Sequence, residues 1–238
     1  MKKVEFQDIG EMSYQEAWDY QTGLHNEVKN AKLERRHWTP EEQAKADKKN
    51  YLVFCEHPPV YTLGKSGSID HLLLNEKELE EKNIEFFKIN RGGDITFHGR
   101  GQIVGYPIFD LDEFFTDVHK YVRFLEEAII RTLADFGVEA GREEGFTGVW
   151  LPANEKQPKR KICAIGVHLS RWVTMHGFAF NVNTDLNYFN YIIPCGIDDA
   201  DKEVTSLEAE IGKKVDLYKI KICLKKHFAE LFEFEYIG

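Results

Sequence analysis

RGGDITFHGRGQIVGYPIFDL, residues 91–111, is the stretch on which the fold turns. Gly92, Gly93, Gly99 and Gly101 crowd its first half, and from Gln102 onward the residues alternate as a strand. Glycine loses more conformational entropy on ordering than any other residue. This density therefore marks backbone that turns sharply or lets another group come close. A dinucleotide-binding loop would have its glycines open a helix, whereas these open a strand, which excludes that arrangement. The stretch predicts the floor of an acyl-binding pocket, and other parts of the chain must supply a nucleophile and its partner.

Upstream, VEFQDIG (4–10) alternates as a strand, and a helix follows over 14–33 with Ser13 and Gln15–Glu16 placed to cap it. Residues 34–50 are highly charged and predict either a short solvated helix after Thr39 or a loop. YLVFCEHPPVYTLG (51–64) reads as a buried strand that stops at Pro58–Pro59, with Cys55 in its core and His57 at its end. A short helix over 75–82 and a strand over 84–90 then lead into the glycines.

Downstream, Val118, Val122, Leu125, Ile129, Leu133 and Phe136 recur at three- and four-residue steps, so 116–136 is a helix that Gly137 stops. Strands are expected at 147–151, 161–170 and 173–183, with the tip KQPKRK (156–161) between the first two. Helices are expected at 185–191, 204–211 and 216–232. On the last of these, Leu217, Ile220, Leu224, Phe228 and Leu231 mark the buried face, with Cys223 at its border. Strands and helices intermixed, with hairpins in the middle, imply an α+β fold: a mixed sheet packed with helices in one domain over 1–238.

Composition narrows the function. A chain of 238 residues, 42% hydrophobic and 30% charged, can bury a sizeable core and reads as a soluble protein. The first residues lack the apolar run of a signal peptide, and no apolar segment reaches the roughly 18 residues of a membrane span. A cytoplasmic protein with no membrane partner is the expectation. The formal charge of −9 counts against nucleic acid. Cys55, Cys163, Cys195 and Cys223 form no CxxC pair, so reduced thiols are expected and no metal site.

Cys195 lies in IIPCGI, between a proline and a glycine, so it is expected on a turn where a thiol is accessible. Lys161 opens an otherwise apolar strand. Its ammonium either points into solvent at the strand end or faces a thiol and favours the thiolate. Strand alternation puts Cys163 on the same face as Lys161, which makes it a second thiol candidate. His98 and His176, each before a glycine, are open to three readings: general base, hydrogen-bond anchor or core residue.

EHPPVYTLG (56–64), the glycine stretch, RKICAIGV (160–167), HGFAFNVNTDL (176–186), PCGI (194–197) and VTSLEAEIG (204–212) occur in the order found in lipoyl(octanoyl) transferases, which the chain resembles over most of its length. The resemblance implies an α+β fold similar to biotin and lipoate protein ligase catalytic domains. It implies octanoyl (or lipoyl) transfer from acyl carrier protein to a lysine of lipoyl domains, those of 2-oxoacid dehydrogenases and the glycine cleavage H protein. A Cys195/Lys161 pair would act through a thioester acyl-enzyme, with no cofactor and no metal, in a monomer. Substrate binding would fall to Arg91, Gly92, Gly93, Asp94, Ile95, Thr96, Phe97 and His98, with Ala164, Ile165, Gly166, Gly177, Phe178 and Ala179. Small residues there are expected to leave room for an alkyl chain. Carrier and lipoyl domains are typically acidic, so Lys156, Lys159 and Arg160 are expected to form a basic docking patch. Three features depart from the family pattern: Arg100 where proline is usual, Cys163 where alanine is commoner, and the 34–50 insertion.

Overall fold

Strand β1 (Lys2–Glu11) runs into Ser13, whose side chain accepts from the Glu16 backbone N–H while the Glu16 carboxylate accepts from the Ser13 N–H. That reciprocal cap satisfies two otherwise orphaned donors and starts α1 (Tyr14–Glu34). Thr39 and Glu42 repeat the device at α2 (Pro40–Lys45), so the charged stretch contains a short helix beginning after Thr39. There follow β2 (Tyr51–Glu56), β3 (Val60–Leu63), α3 (Glu76–Lys82), β4 (Glu85–Lys88), β5 (Ile95–His98), β6 (Gln102–Ile108) and α4 (Val118–Asp135). The chain continues through β7 (Gly141–Glu143), β8 (Phe146–Leu151), β9 (Lys159–Ser170), β10 (Val173–Asn181), β11 (Lys202–Val204), α5 (Leu207–Ile211), α6 (Leu217–Phe232) and β12 (Phe234–Ile237). This computed structural model describes residues 2–46, 48–194 and 202–237.

The main sheet has the order β12-β1-β2-β6-β10-β9-β8-β7, with β11 alongside β9, and a second sheet has the order β4-β3-β5. β1 is parallel to both its neighbours, whereas each pairing from β2 across to β7 is antiparallel. The architecture is therefore α+β with a mixed sheet. Alternation along β2 sends Leu52 and Phe54 to the core beneath α4 and α6, and Tyr51, Val53 and Cys55 to the core beneath α1. No helix among the described residues is long and apolar enough to cross a membrane.

Several elements differ from the sequence reading. The prolines at 58 and 59 do not end a single strand but pass the chain from the main sheet (β2) to the second one (β3). β6 is buried along its whole length, because both its faces are covered, so its apparent alternation is no guide to exposure. Val118 opens α4 but is 37% exposed, leaving the buried face to Tyr121, Leu125, Ala128, Ile129 and Leu133. The stretch 185–191 is a 3₁₀ helix, Leu186–Tyr191, and the stretch 204–211 divides into β11 and α5.

Candidate active site

The glycine stretch lies against the middle of the main sheet. Gly92 N–H donates to Val167 O on β9 at 2.9 Å. A Cβ at Gly166 would sit 2.8 Å from Gly92 O and 2.9 Å from Arg91 Cδ. One at Gly177, the cross-strand partner of Gly166, would sit 2.2 Å from Gly105 O. These glycines are therefore needed for backbone against backbone. The expectation that they clear space for an alkyl chain is replaced: neighbouring backbone and Arg91 fill the space that a side chain at either position would take.

Between this floor and the sheet is a cavity of about 350 Å³. Arg91, Gly92, Gly93, Asp94, Ile95, Thr96 and His98 line it, with Ala164, Ile165, Gly166 and Val167 of β9 and His176, Gly177, Phe178 and Ala179 of β10. Lys161, Pro194 and Val204 line it as well. Phe97 is the one residue of the expected binding set that does not. Strand β5 turns its ring the other way, where it stacks on Tyr188 with centroids 4.6 Å apart, next to Tyr61 and Phe189. Tyr61 Oη donates to Tyr188 O at 2.6 Å, Leu73 N–H to Tyr191 O at 2.9 Å and Ile193 N–H to His71 O at 2.8 Å. Phe97 thus helps to anchor the segment that leads to Pro194.

The Lys161 and Cys163 side chains are not neighbours on one face. The β8–β9 register shifts between Val149↔Cys163 and Trp150↔Lys161, so one residue of β9, Ile162, has no partner on β8 and the alternation breaks there. Lys161 faces the cavity with its Nζ 4.6 Å from the Trp150 ring centroid, while Cys163 enters the core beneath α4 and α6. Burial pushes the Cys163 thiol well above the usual range, and the same cause raises Cys55 and, less completely buried on α6, Cys223. Cys195 lies outside the described residues. Among those described, no cysteine lines the cavity.

The histidines prove to be hydrogen-bond anchors. Gln102 Nε2 donates to Phe97 O at 3.0 Å and to Asn181 Oδ1 at 2.9 Å, which leaves its Oε1 to accept from His98 Nδ1–H at 2.9 Å. His176 Nε2–H donates to Asn90 Oδ1 at 2.8 Å, and its left-handed backbone (φ 58°) is held by an N–H bond to Gln21 Oε1 at 3.0 Å. Burial lowers His98 well below its ordinary value and His176 to about 3, with the Arg91 guanidinium acting in the same direction. Both are neutral at physiological pH and neither is arranged as a general base.

The sequence reading missed several participants. His57 is fully buried; its Nδ1–H donates to Met12 O at 2.8 Å and its Nε2 accepts from Tyr106 Oη at 2.8 Å. Tyr14 stacks on His98 at 5.9 Å and lines the cavity with Tyr106. The only sequence signal for this group was the HPP block, read as a terminator. Glu126, fully buried on α4, accepts from Arg123 at 2.7 Å, Arg142 at 3.0 Å and Gly148 N–H at 3.1 Å. The basic patch shrinks. Arg160 is buried and holds Glu210 through Nε and Nη2 at 2.8 and 3.2 Å, and Lys159 reaches Glu143 at 2.5 Å. Arg100, the departure from the family pattern, makes a two-pronged exposed pair with Glu11, both contacts 2.7 Å.

The lipoyl protein ligase A/B catalytic domain model matches residues 13–229. An octanoyltransferase of Cytophaga hutchinsonii is 56% identical over 232 residues, covering 98% of this chain and 93% of the relative. One from Flavobacterium johnsoniae is 56% identical over 237 residues, covering 99% of each. Among solved structures, a bipartite lipoate protein ligase of Thermoplasma acidophilum superimposes with a TM-score of 0.70 at 14% identity, covering all of this chain and 87% of that one.

Proposed function

From the premise that this chain belongs to the lipoyl protein ligase A/B catalytic domain family and is an acyltransferase of octanoyl or lipoyl groups, we propose that it moves octanoyl from acyl carrier protein to a lysine of lipoyl domains through a thioester on Cys195. One observation carries the reading: Lys161 and Pro194 line the same cavity, and Cys195 is bonded directly to Pro194. Val204, on the far side of residues 195–201, pairs with Lys161 and lines that cavity too. Its interior, walled by Ile165, Val167, Phe178 and Ala179, suits an alkyl chain, with the acyl carbonyl at the Lys161 end.

In this mechanism the Cys195 thiolate attacks the carbonyl carbon of the donor thioester. The carbon–sulfur bond to the carrier breaks, and the leaving thiolate takes a proton from the Lys161 ammonium. The neutral ε-amine of the acceptor lysine then attacks the acyl-enzyme. An amide forms, Cys195 leaves as thiolate, and the amine's proton returns to Lys161. A thioester is already activated, so neither metal nor nucleotide enters these steps. The enzyme is read as a cytoplasmic monomer with one catalytic domain over 1–238, and its acceptors as the lipoyl domains of 2-oxoacid dehydrogenases and the glycine cleavage H protein.

The test is intact mass spectrometry after incubation with octanoyl carrier protein. It should give one octanoyl adduct, which a lipoyl domain then discharges. Turnover of free octanoate with ATP, but not of the octanoyl carrier, would instead place the chain with the adenylate-forming ligases. Lys161→Met should slow adduct formation by about 10²–10⁴-fold, as for loss of an acid–base group, while octanoyl carrier still binds. Acylation at an undiminished rate would remove Lys161 from the mechanism.

A further inference from the structure

We propose that Trp150 is the positioning residue for Lys161, its indole face holding the ε-ammonium at the cavity wall and favouring the charged form that protonates the leaving thiolate. The inference rests on the role given above to Lys161.

Trp150 is the cross-strand partner of Lys161, and this pairing exists because the β9 register shifts just before it. Directly opposed residues share a face of the sheet, which puts the lysine stem over the ring, with Nζ 4.6 Å from the centroid. Gly148 also lies close to the stem: an added Cβ there would come 3.8 Å from Lys161 Cδ and 2.5 Å from Cys163 O. Gly148 is itself pinned by the buried Glu126 carboxylate, which fixes the backbone beside the lysine. Trp150 does not line the cavity. Its action on the reaction runs through Lys161.

The choice of tryptophan needs a reason. Trp150 is 3% exposed, and its Nε1–H makes no hydrogen bond among the described residues. A buried indole with an unanswered donor is a poorer wall residue than phenylalanine or leucine. What it offers in exchange is the most negative ring face of any side chain, the best neutral partner for a cation. Phe146 packs edge-on against it at 5.8 Å, which keeps that face turned toward the lysine.

Fluorinated tryptophans installed at position 150 alone drain charge from the face while preserving shape. Along the series from tryptophan to tetrafluorotryptophan, the rate of octanoyl adduct formation at mildly alkaline pH should fall by about tenfold, the scale of a partly buried cation–π contact. The alkaline limb of the pH–rate profile should move to lower pH. KM for octanoyl carrier should stay within about twofold. Trp150→Phe should fall between the ends of the series. A flat series, with Lys161→Met inactive, would show that Trp150 only fills space and overturn the assignment alone. Full acylation by Lys161→Met would remove both this inference and the role of Lys161 from which it starts.

Discussion

Cys195→Ser is expected to yield no octanoyl adduct and to lower transfer by at least about 10⁴-fold, the loss usual when a nucleophile is removed. Cys163→Ser should keep both adduct and transfer. The contrast follows from where the other thiols lie. A nucleophilic cysteine must be accessible and partly ionised. Cys55 and Cys163 are fully buried, and burial disfavours their thiolates. Cys223 is on α6 near Asp135, whose charge and hydrogen bond add to burial in raising its thiol. Changing Cys163 places a hydroxyl in the core beneath α4, which should cost stability of about 1–3 kcal/mol and leave the chemistry alone. Denaturant midpoints and intact masses on the two variants separate these effects. An adduct that persists in Cys195→Ser and disappears in Cys163→Ser would move the nucleophile into β9.

How much of this was legible in the sequence depended on whether a feature is set locally. Ser13, Thr39 and Asn75 cap their helices through groups three residues on, so the starts of α1, α2 and α3 could be read from a few letters. The glycine stretch declared itself because close backbone approach excludes a Cβ, although the group approaching Gly166 proved to be the stretch itself rather than a ligand. The register shift at Ile162 is different. No residue type marks it, and it reverses the alternation argument that had put Lys161 and Cys163 side by side. Phe97 entered the expected binding set with the whole segment 91–98 that the resemblance implied, but strand geometry sends its ring to Tyr188. Arg160 failed as a docking residue for a long-range reason: its partner is Glu210, on a helix fifty residues away in sequence. The buried His57–Tyr106 contact is set in the same way, between the residue just past the end of β2 and one on β6, forty-nine residues on.

That buried polar group should make the fold acid-labile. His57, His98 and His176 are all buried, and burial holds His57 down to about 4, His176 to about 3 and His98 well below its ordinary value. In the unfolded chain each regains a value near 6.5. Below that pH the unfolded chain binds protons that the folded chain refuses, so stability is full above about pH 6.5 and declines toward pH 4. Between pH 7 and 5 His57 and His176 should each remove about 2 kcal/mol, the two together roughly 4 kcal/mol, with His98 acting in the same direction. Against a typical total of about 5–15 kcal/mol this is a large share. Urea unfolding at the two pH values measures it directly. His57→Gln should shrink the difference by about 2 kcal/mol, whatever it does to stability at pH 7. Equal stability at pH 7 and 5 would mean that these histidines do not stay neutral in the fold. Neutrality also suits the proposed substrate: His98 and His176 both line the cavity, and a charge on either would face the alkyl chain. The one cation the proposed chemistry needs there is on Lys161, at the carbonyl end. Because the folded chain keeps both histidines neutral over the range in which acid loosens the fold, affinity for the octanoyl group should hold there, and only the folded fraction should fall.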